Sequence, residues 1–283
     1  MSLSYPGLAY HTDGNAGAPA LLFLHGFLGN ADDWQALKTL LKDDYYLIVI
    51  DLPGHGSSQW YEEDARGLDY FCHRLEQTVQ TIEQVKGINL EKFNLLGYSL
   101  GGRLAMAYTV AFPNRIEKLF LEGAHPGLVS EQERNQRYQS DLQWARRFKL
   151  EPVAEVLHDW YKQPVFSDLD DHQIQSLIHE RANGKGQLLA EALMAFSLSK
   201  QPDYRRALCR LKADCQLRAG SPPFTSVHYF YGENDHKFGQ LGQHLLAEHV
   251  IHSTHPVAGC GHNIHREQPE AMARLLRELQ RSP

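Results

Sequence analysis

The sequence predicts an α/β protein: a mostly parallel sheet flanked by helices, interrupted by an inserted all-helical block. Three observations carry this. Short β-branched and aromatic runs alternate with helical patterns up to residue 125, strand signals vanish from Pro126 to Pro222, and the alternation resumes at Val227. One domain carrying an insertion follows: core residues 1–125, a helical lid over 126–222, and core again over 223–283.

The first strands are expected at Leu21–Leu24, Tyr45–Ile50, Phe93–Leu96 and Ile116–Leu121, each a near-continuous apolar run of the kind buried on both faces. Between them, Trp34, Leu37 and Leu41 step by three or four behind an expected cap at Asn30. Leu68, Phe71, Leu75, Val79 and Ile82 do the same. The lid is punctuated by Pro152, Pro164, Gly184, Gly186 and Pro202. Beyond it, Val227–Tyr231 is a strand, His255–Ala258 a weaker one, and Pro269 opens a last helix with Met272, Leu275, Leu276 and Leu279 inward.

Composition excludes several functions. With 28 Lys plus Arg against 34 Asp plus Glu the net charge is −6, which disfavours a nucleic-acid coat. The longest apolar run, Tyr45–Ile50, is far below the roughly 18–20 residues of a membrane span. The start Met1–Pro6 lacks the pattern of a secretory signal, and Cys72, Cys209, Cys215 and Cys260 form no close pair, so a reducing cytoplasm is the expected setting. No long exposed apolar stripe stands out, making a monomer the default expectation.

The sharpest motif is Gly97-Tyr98-Ser99-Leu100-Gly101, between a strand and a helix on which Leu100, Leu104, Tyr108 and Ala111 share one side. A G-x-S-x-G in that context puts the serine on a sharp turn with its hydroxyl projecting. Such a hydroxyl needs a base, and the base an orienting acid. Asp235 follows the strand Val227–Tyr231, and His262 follows the last strand behind Gly259 and Gly261. The order Ser99, Asp235, His262 is one of several that serine enzymes use. Glu122 is second choice as the acid, His265 as the base. The histidines His249, His252, His255, His262 and His265 match no metal-ligand spacing, and no metal or cofactor is expected. The backbone N–H groups of Phe27, in His25-Gly26-Phe27, and of Leu100 are placed to hold an oxyanion. Asp51-Leu52-Pro53-Gly54-His55-Gly56 reads as a structural turn.

These features resemble the α/β-hydrolase superfamily over essentially the whole chain. Gly97–Arg103, Glu122-Gly123-Ala124-His125-Pro126-Gly127-Leu128, Asp159–Phe166 and Gly259-Cys260-Gly261-His262-Asn263 are similar to the 2-succinyl-6-hydroxy-2,4-cyclohexadiene-1-carboxylate (SHCHC) synthase family of menaquinone biosynthesis. That resemblance implies a carbon–oxygen lyase expelling pyruvate from SEPHCHC. It also implies Tyr98, Arg137, Trp160, Tyr161 and Lys237 as substrate contacts.

A small polycarboxylate of this kind requires fixed cations. Arg103 lies one helical turn beyond Ser99, and Arg181 shares a stripe with Ile174, Leu177 and Ile178, so burial obliges Arg181 to meet a carboxylate of the protein or of a ligand. The segment 126–222 carries 14 Lys plus Arg against 13 Asp plus Glu, making it more cationic than the rest. Two other readings stay open: a serine hydrolase of carboxylated metabolites using water, and a non-catalytic receptor for a carboxylated ligand.

Overall fold

The computed structural model describes residues 7–60, 67–217 and 226–281 of the 283. The strands in chain order are β1 (Tyr10–Gly14), β2 (Ala20–Leu24), β3 (Tyr46–Ile50), β4 (Phe93–Tyr98), β5 (Ile116–Glu122), β6 (Ser226–Gly232) and β7 (Ser253–Val257). They form one sheet in the order β1-β3-β2-β4-β5-β6-β7. Every pairing is parallel except β1 with β3. The antiparallel edge strand β1 was not anticipated. Its sequence, Tyr-His-Thr-Asp-Gly, has no apolar run because most of it faces solvent.

Core helices alternate with the strands: α1 (Gln35–Leu41), α2 (Leu68–Lys86) and α3 (Leu100–Ala111) in the first part. After the insertion come α9 (His236–Ala247), α10 (Ile264–Glu267) and α11 (Pro269–Arg281). The period-2 geometry of a strand divides the core. Leu22, Leu24, Ile48 and Leu95 pack under α2 and α3, whereas Leu21, Phe23, Val49 and Leu96 pack under Trp34 and α11. Asn30 caps a 3-10 turn, Ala31–Trp34, and not α1 itself, which follows directly. Helix α3 is buried from Leu100 through Thr109, so it has no solvent stripe, and Ala111, expected on the buried side, is exposed.

Between β5 and β6 the described residues form helices and no strand: α4 (Glu131–Leu150), α5 (Val153–Trp160), α6 (Asp171–Arg181), α7 (Gly186–Ala195) and α8 (Arg205–Leu217). Ser130 and Asp170 start α4 and α6 with full capping boxes. This block has its own apolar centre of Phe148, Val156, Leu157, Leu177, Ile178, Leu189 and Leu193, joined from the core by Phe27 and Leu28. The expected boundary at Pro222 lies outside the described residues.

The sheet's close contact with α3 depends on Gly101. A Cβ there would lie 2.0 Å from the carbonyl oxygen of Leu24 and 2.5 Å from that of His25. These are backbone atoms that cannot rotate away. Gly101→Ala is therefore expected to cost about 3 kcal/mol, lowering the thermal midpoint by about 5–10 °C in a calorimetric scan. An unchanged midpoint would show that this contact relaxes freely.

Candidate active site

The candidate residues gather at the C-terminal ends of the parallel strands, where open α/β sheets bind ligands. Ser99 occupies the turn between β4 and α3 with φ 48° and ψ −108°, a left-handed backbone rare for a residue with a Cβ. Its amide donates to the carbonyl of Glu122 at 2.8 Å, and its carbonyl accepts from Arg103 N–H. Asp235 follows β6 and caps α9, its Oδ1 accepting from Phe238 N–H at 3.2 Å. Its Oδ2 meets His262 Nδ1 at 2.6 Å, with the two side chains only 7% and 5% exposed. The carboxylate fixes the ring so that Nε2 is the free nitrogen. Tyr98 and Phe238 flank that ring at centroid distances of 5.2 and 4.7 Å.

Ser99, Asp235 and His262 line one cavity of about 440 Å³. Phe27, Leu100, Tyr98, Arg103, Arg137, Trp160, Arg181 and Lys237 line it too. Tyr161 does not. It is buried, and Arg181 Nη1 donates to its hydroxyl at 2.5 Å. The two rivals pair with each other: His265 Nδ1 lies 2.8 Å from Glu122 Oε1.

The Leu100 amide is the first of helix α3 and so has no intrahelical acceptor. The loop carrying Phe27 is held by histidines. His55 Nε2 accepts from Leu28 N–H at 3.1 Å, and His25 Nε2 accepts from Leu52 N–H at 3.0 Å. Acceptance at Nε2 places the proton of each ring on Nδ1, which faces the carbonyls of Pro53 and Gly26 respectively. Burial, reinforced by the neighbouring His25, pushes His55 down to about 3, keeping it a neutral acceptor. Asp51 accepts from Ala31 and Ser57 N–H groups, so the Asp51–Gly56 turn braces the same loop.

The cavity is electropositive. Burial and then Arg137 push Arg103 down to about 9, and its guanidinium donates to the neutral amide of Gln201 at 3.1 Å. Burial and then Arg137 also lower Lys237. His125, which lines the wall, is pushed down to about 4 by burial and then by Arg205, Lys237, Arg103 and Arg137. Burial, followed by the charge of Glu122, raises Tyr98 far above its ordinary value and keeps its hydroxyl protonated. Trp160 packs on Phe27 at 5.2 Å and on Trp144 at 5.1 Å.

Sequence reasoning missed His125, Asp141 and Asp33. Asp141 accepts from Arg137 Nε at 2.8 Å and from Ser197 Oγ at 2.7 Å; its spacing four residues after Arg137 on α4 was a usable signal. Asp33, the carboxylate that Arg181 requires, lies 3.3 Å from Arg181 Nη2 and 2.8 Å from Arg266 Nη1. Among the described residues no group of His, Cys, Asp and Glu is placed to hold a metal, and no helix is long and apolar enough to cross a membrane.

A serine on a strained strand-to-helix turn, with a His–Asp pair from the next strand ends, defines the class. The model of the alpha/beta hydrolase fold matches residues 19–269, and the chain belongs to that family. A relative from Enterobacter sp. (strain 638) is 40% identical over 95% of this chain and 94% of its own, and one from Salmonella typhimurium 40% identical over 95% and 98%. Both are named 2-succinyl-6-hydroxy-2,4-cyclohexadiene-1-carboxylate synthase, and it is to the family of these synthases, within the fold, that the chain belongs. Among solved structures, the chain is similar to that titled MenH from S. aureus, with TM-score 0.81 and 24% identity over 95% of this chain and 96% of that one.

Burial alone would raise the Asp33 carboxyl, but the guanidinium of Arg181, joined by that of Arg266, outweighs it and holds the group below its ordinary value of 3.8. A depressed carboxyl stabilises the fold above its unfolded value, and that contribution disappears as pH falls through the folded value. Asp33→Asn should therefore lose about 2–4 kcal/mol at pH 7 and show a shallower further loss below pH 3.8 than the wild type, read from urea midpoints against pH. Parallel curves would remove the ion pair from the account.

Proposed function

We propose that the chain expels pyruvate from SEPHCHC to form SHCHC in menaquinone biosynthesis, with Ser99, His262 and Asp235 as the proton-handling triad. The observation that carries this reading is Arg103. It is a buried cation one turn from the nucleophile, hydrogen-bonded to a neutral amide. Burial of that kind is costly unless an anion arrives, and an uncharged ester would supply none. Arg137, Arg181 and Lys237 around the same cavity suit a substrate with several carboxylates.

In this mechanism His262, oriented by Asp235, increases the basicity of Ser99, and the pair removes a ring proton conjugated to the succinyl ketone. The electrons of that C–H bond move to the ketone oxygen, which the Phe27 and Leu100 amides hold as an enolate. They return to form one ring double bond while the ring's existing double bond shifts by one position and the enolpyruvyl C–O bond breaks. The departing enolate takes up a proton and becomes pyruvate, so no water is consumed. The helical block acts as a lid, with Trp160 and Phe27 excluding water and Arg137 and Arg181 fixing the leaving group's neighbours. The same reading has the protein working as a monomer in the cytoplasm, without cofactor.

The expected result is one pyruvate per SEPHCHC consumed, with kcat reduced about 10³-fold or more in Ser99→Ala and His262→Ala and about 10²-fold or more in Asp235→Asn. No acceleration over the spontaneous decay of SEPHCHC would end this reading. Incorporation of ¹⁸O from solvent into a product carboxylate would favour hydrolysis instead. Arg103→Gln, which keeps a donor but removes the charge, should raise KM for SEPHCHC about 10- to 100-fold, measured in the same pyruvate-release assay. An unaltered KM would detach Arg103 from the substrate.

A further inference from the structure

Glu122 touches both halves of the candidate machinery while belonging to neither. It ends β5, fully buried. Its backbone carbonyl accepts the Ser99 amide at 2.8 Å and so holds the strained turn on which the hydroxyl sits. Its carboxylate reaches the opposite segment: Oε1 accepts the backbone N–H of His265 at 3.2 Å and faces His265 Nδ1 at 2.8 Å, with Oε2 at 3.0 Å from the same nitrogen. His265 is three residues beyond His262, at the start of α10.

The surroundings make this clamp rigid. The Tyr98 ring sits 4.7 Å from the His265 imidazole and 5.2 Å from that of His262, and Trp34 covers His265 at 4.3 Å. Gly123, at φ 54°, follows Glu122, and a Cβ on it would stand 2.7 Å from His262 Cε1. The Gly123 amide donates to Phe230 on β6, the strand that delivers Asp235. His265 is 1% exposed and absent from the walls of the Ser99 cavity, so it cannot serve as a second base there. Its Nε2 has no hydrogen-bond partner among the described residues, leaving Glu122 as the anchor of the ring. A buried carboxylate–imidazole pair costs desolvation that an apolar pair would avoid.

We propose that Glu122, through its clamp on His265, is a positioning residue that sets the distance between Ser99 and His262. The inference rests on the triad reading given above and adds the element that holds the triad in register. A displacement of about 1 Å in such geometry costs up to about 100-fold in rate, whereas substrate binding by the arginines is untouched.

The test measures kcat and KM for SEPHCHC on the full chain, with folding of each variant verified by thermal unfolding. Glu122→Gln preserves the shape and the backbone carbonyl but not the charge, and should lose about tenfold in kcat with KM within about twofold. His265→Asn keeps a donor near the place of Nδ1 and should hold kcat within about threefold, while His265→Leu should lose about 10- to 100-fold. Should His265→Leu not fold, Glu122→Gln and His265→Asn still decide the matter. A kcat for Glu122→Gln within about twofold of the wild type, a loss confined to KM, or His265→Asn performing no better than a folded His265→Leu would each overturn the proposal. Labelling of Ser99 by a fluorophosphonate, with Ser99→Ala as blank, separates the two readings. If the wild type leaves SEPHCHC unchanged, the lyase reading fails, and the labelling rates of Glu122→Gln and His265→Asn still report whether the clamp sets Ser99 against His262. Equal rates in Glu122→Gln and wild type then overturn it.

Discussion

The arrangement depends on how closely helix α3 approaches the sheet. The glycines that flank Ser99 let the first turn of α3 press against the ends of β2 and β4, where the Cβ of any other residue at 101 would strike backbone carbonyls. That approach goes with the left-handed backbone of Ser99 and puts Leu100 on the cavity wall. The ends of β2, β5, β6 and β7 then supply the loop of Phe27, the brace of Glu122, the carboxylate of Asp235 and the ring of His262. A looser helix would move the serine relative to all four.

Charge is the second organising quantity. The chain as a whole is acidic, yet the cavity gathers Arg103, Arg137, Arg181 and Lys237. Two of these are balanced internally, Arg137 by Asp141 and Arg181 by Asp33, which holds each guanidinium in a set direction before any ligand arrives. Arg103 and Lys237 are left with depressed basicity by burial and by Arg137. On the proposed reading, such a gradient, from paired to unpaired cations, is suited to orienting an asymmetric polyanion as well as attracting one.

Much of this was legible in the sequence because the signals are local. Five strands declare themselves as apolar runs, a sixth shows only weakly at His255–Ala258, and the nucleophile turn stands out as a pentapeptide between a strand and a helix. Edge strand β1 was not legible, since a half-solvated strand ending in Asp-Gly has neither a run nor a clean alternation. The triad order could be read from strand ends, and the need of Arg181 for a carboxylate from its apolar stripe. The partner's identity could not: Asp33 is 148 residues away and resembles an ordinary acidic residue in a helical first turn. Tyr161 illustrates the converse. A resemblance placed it at the substrate, while its burial and its bond to Arg181 place it one layer back. Pairings that cross from one region of the chain to another leave no spacing to read.

Phe27 joins two structures that a diagram would draw apart. It lines the Ser99 cavity, while its side chain packs against the apolar centre of the helical block, on Phe148 and Trp160. On the proposed reading, the seat of the helical block and one of the two oxyanion donors therefore share a single residue, so a substitution that loosens the packing at Phe148 or Trp160 reaches the neighbourhood of the triad through Phe27.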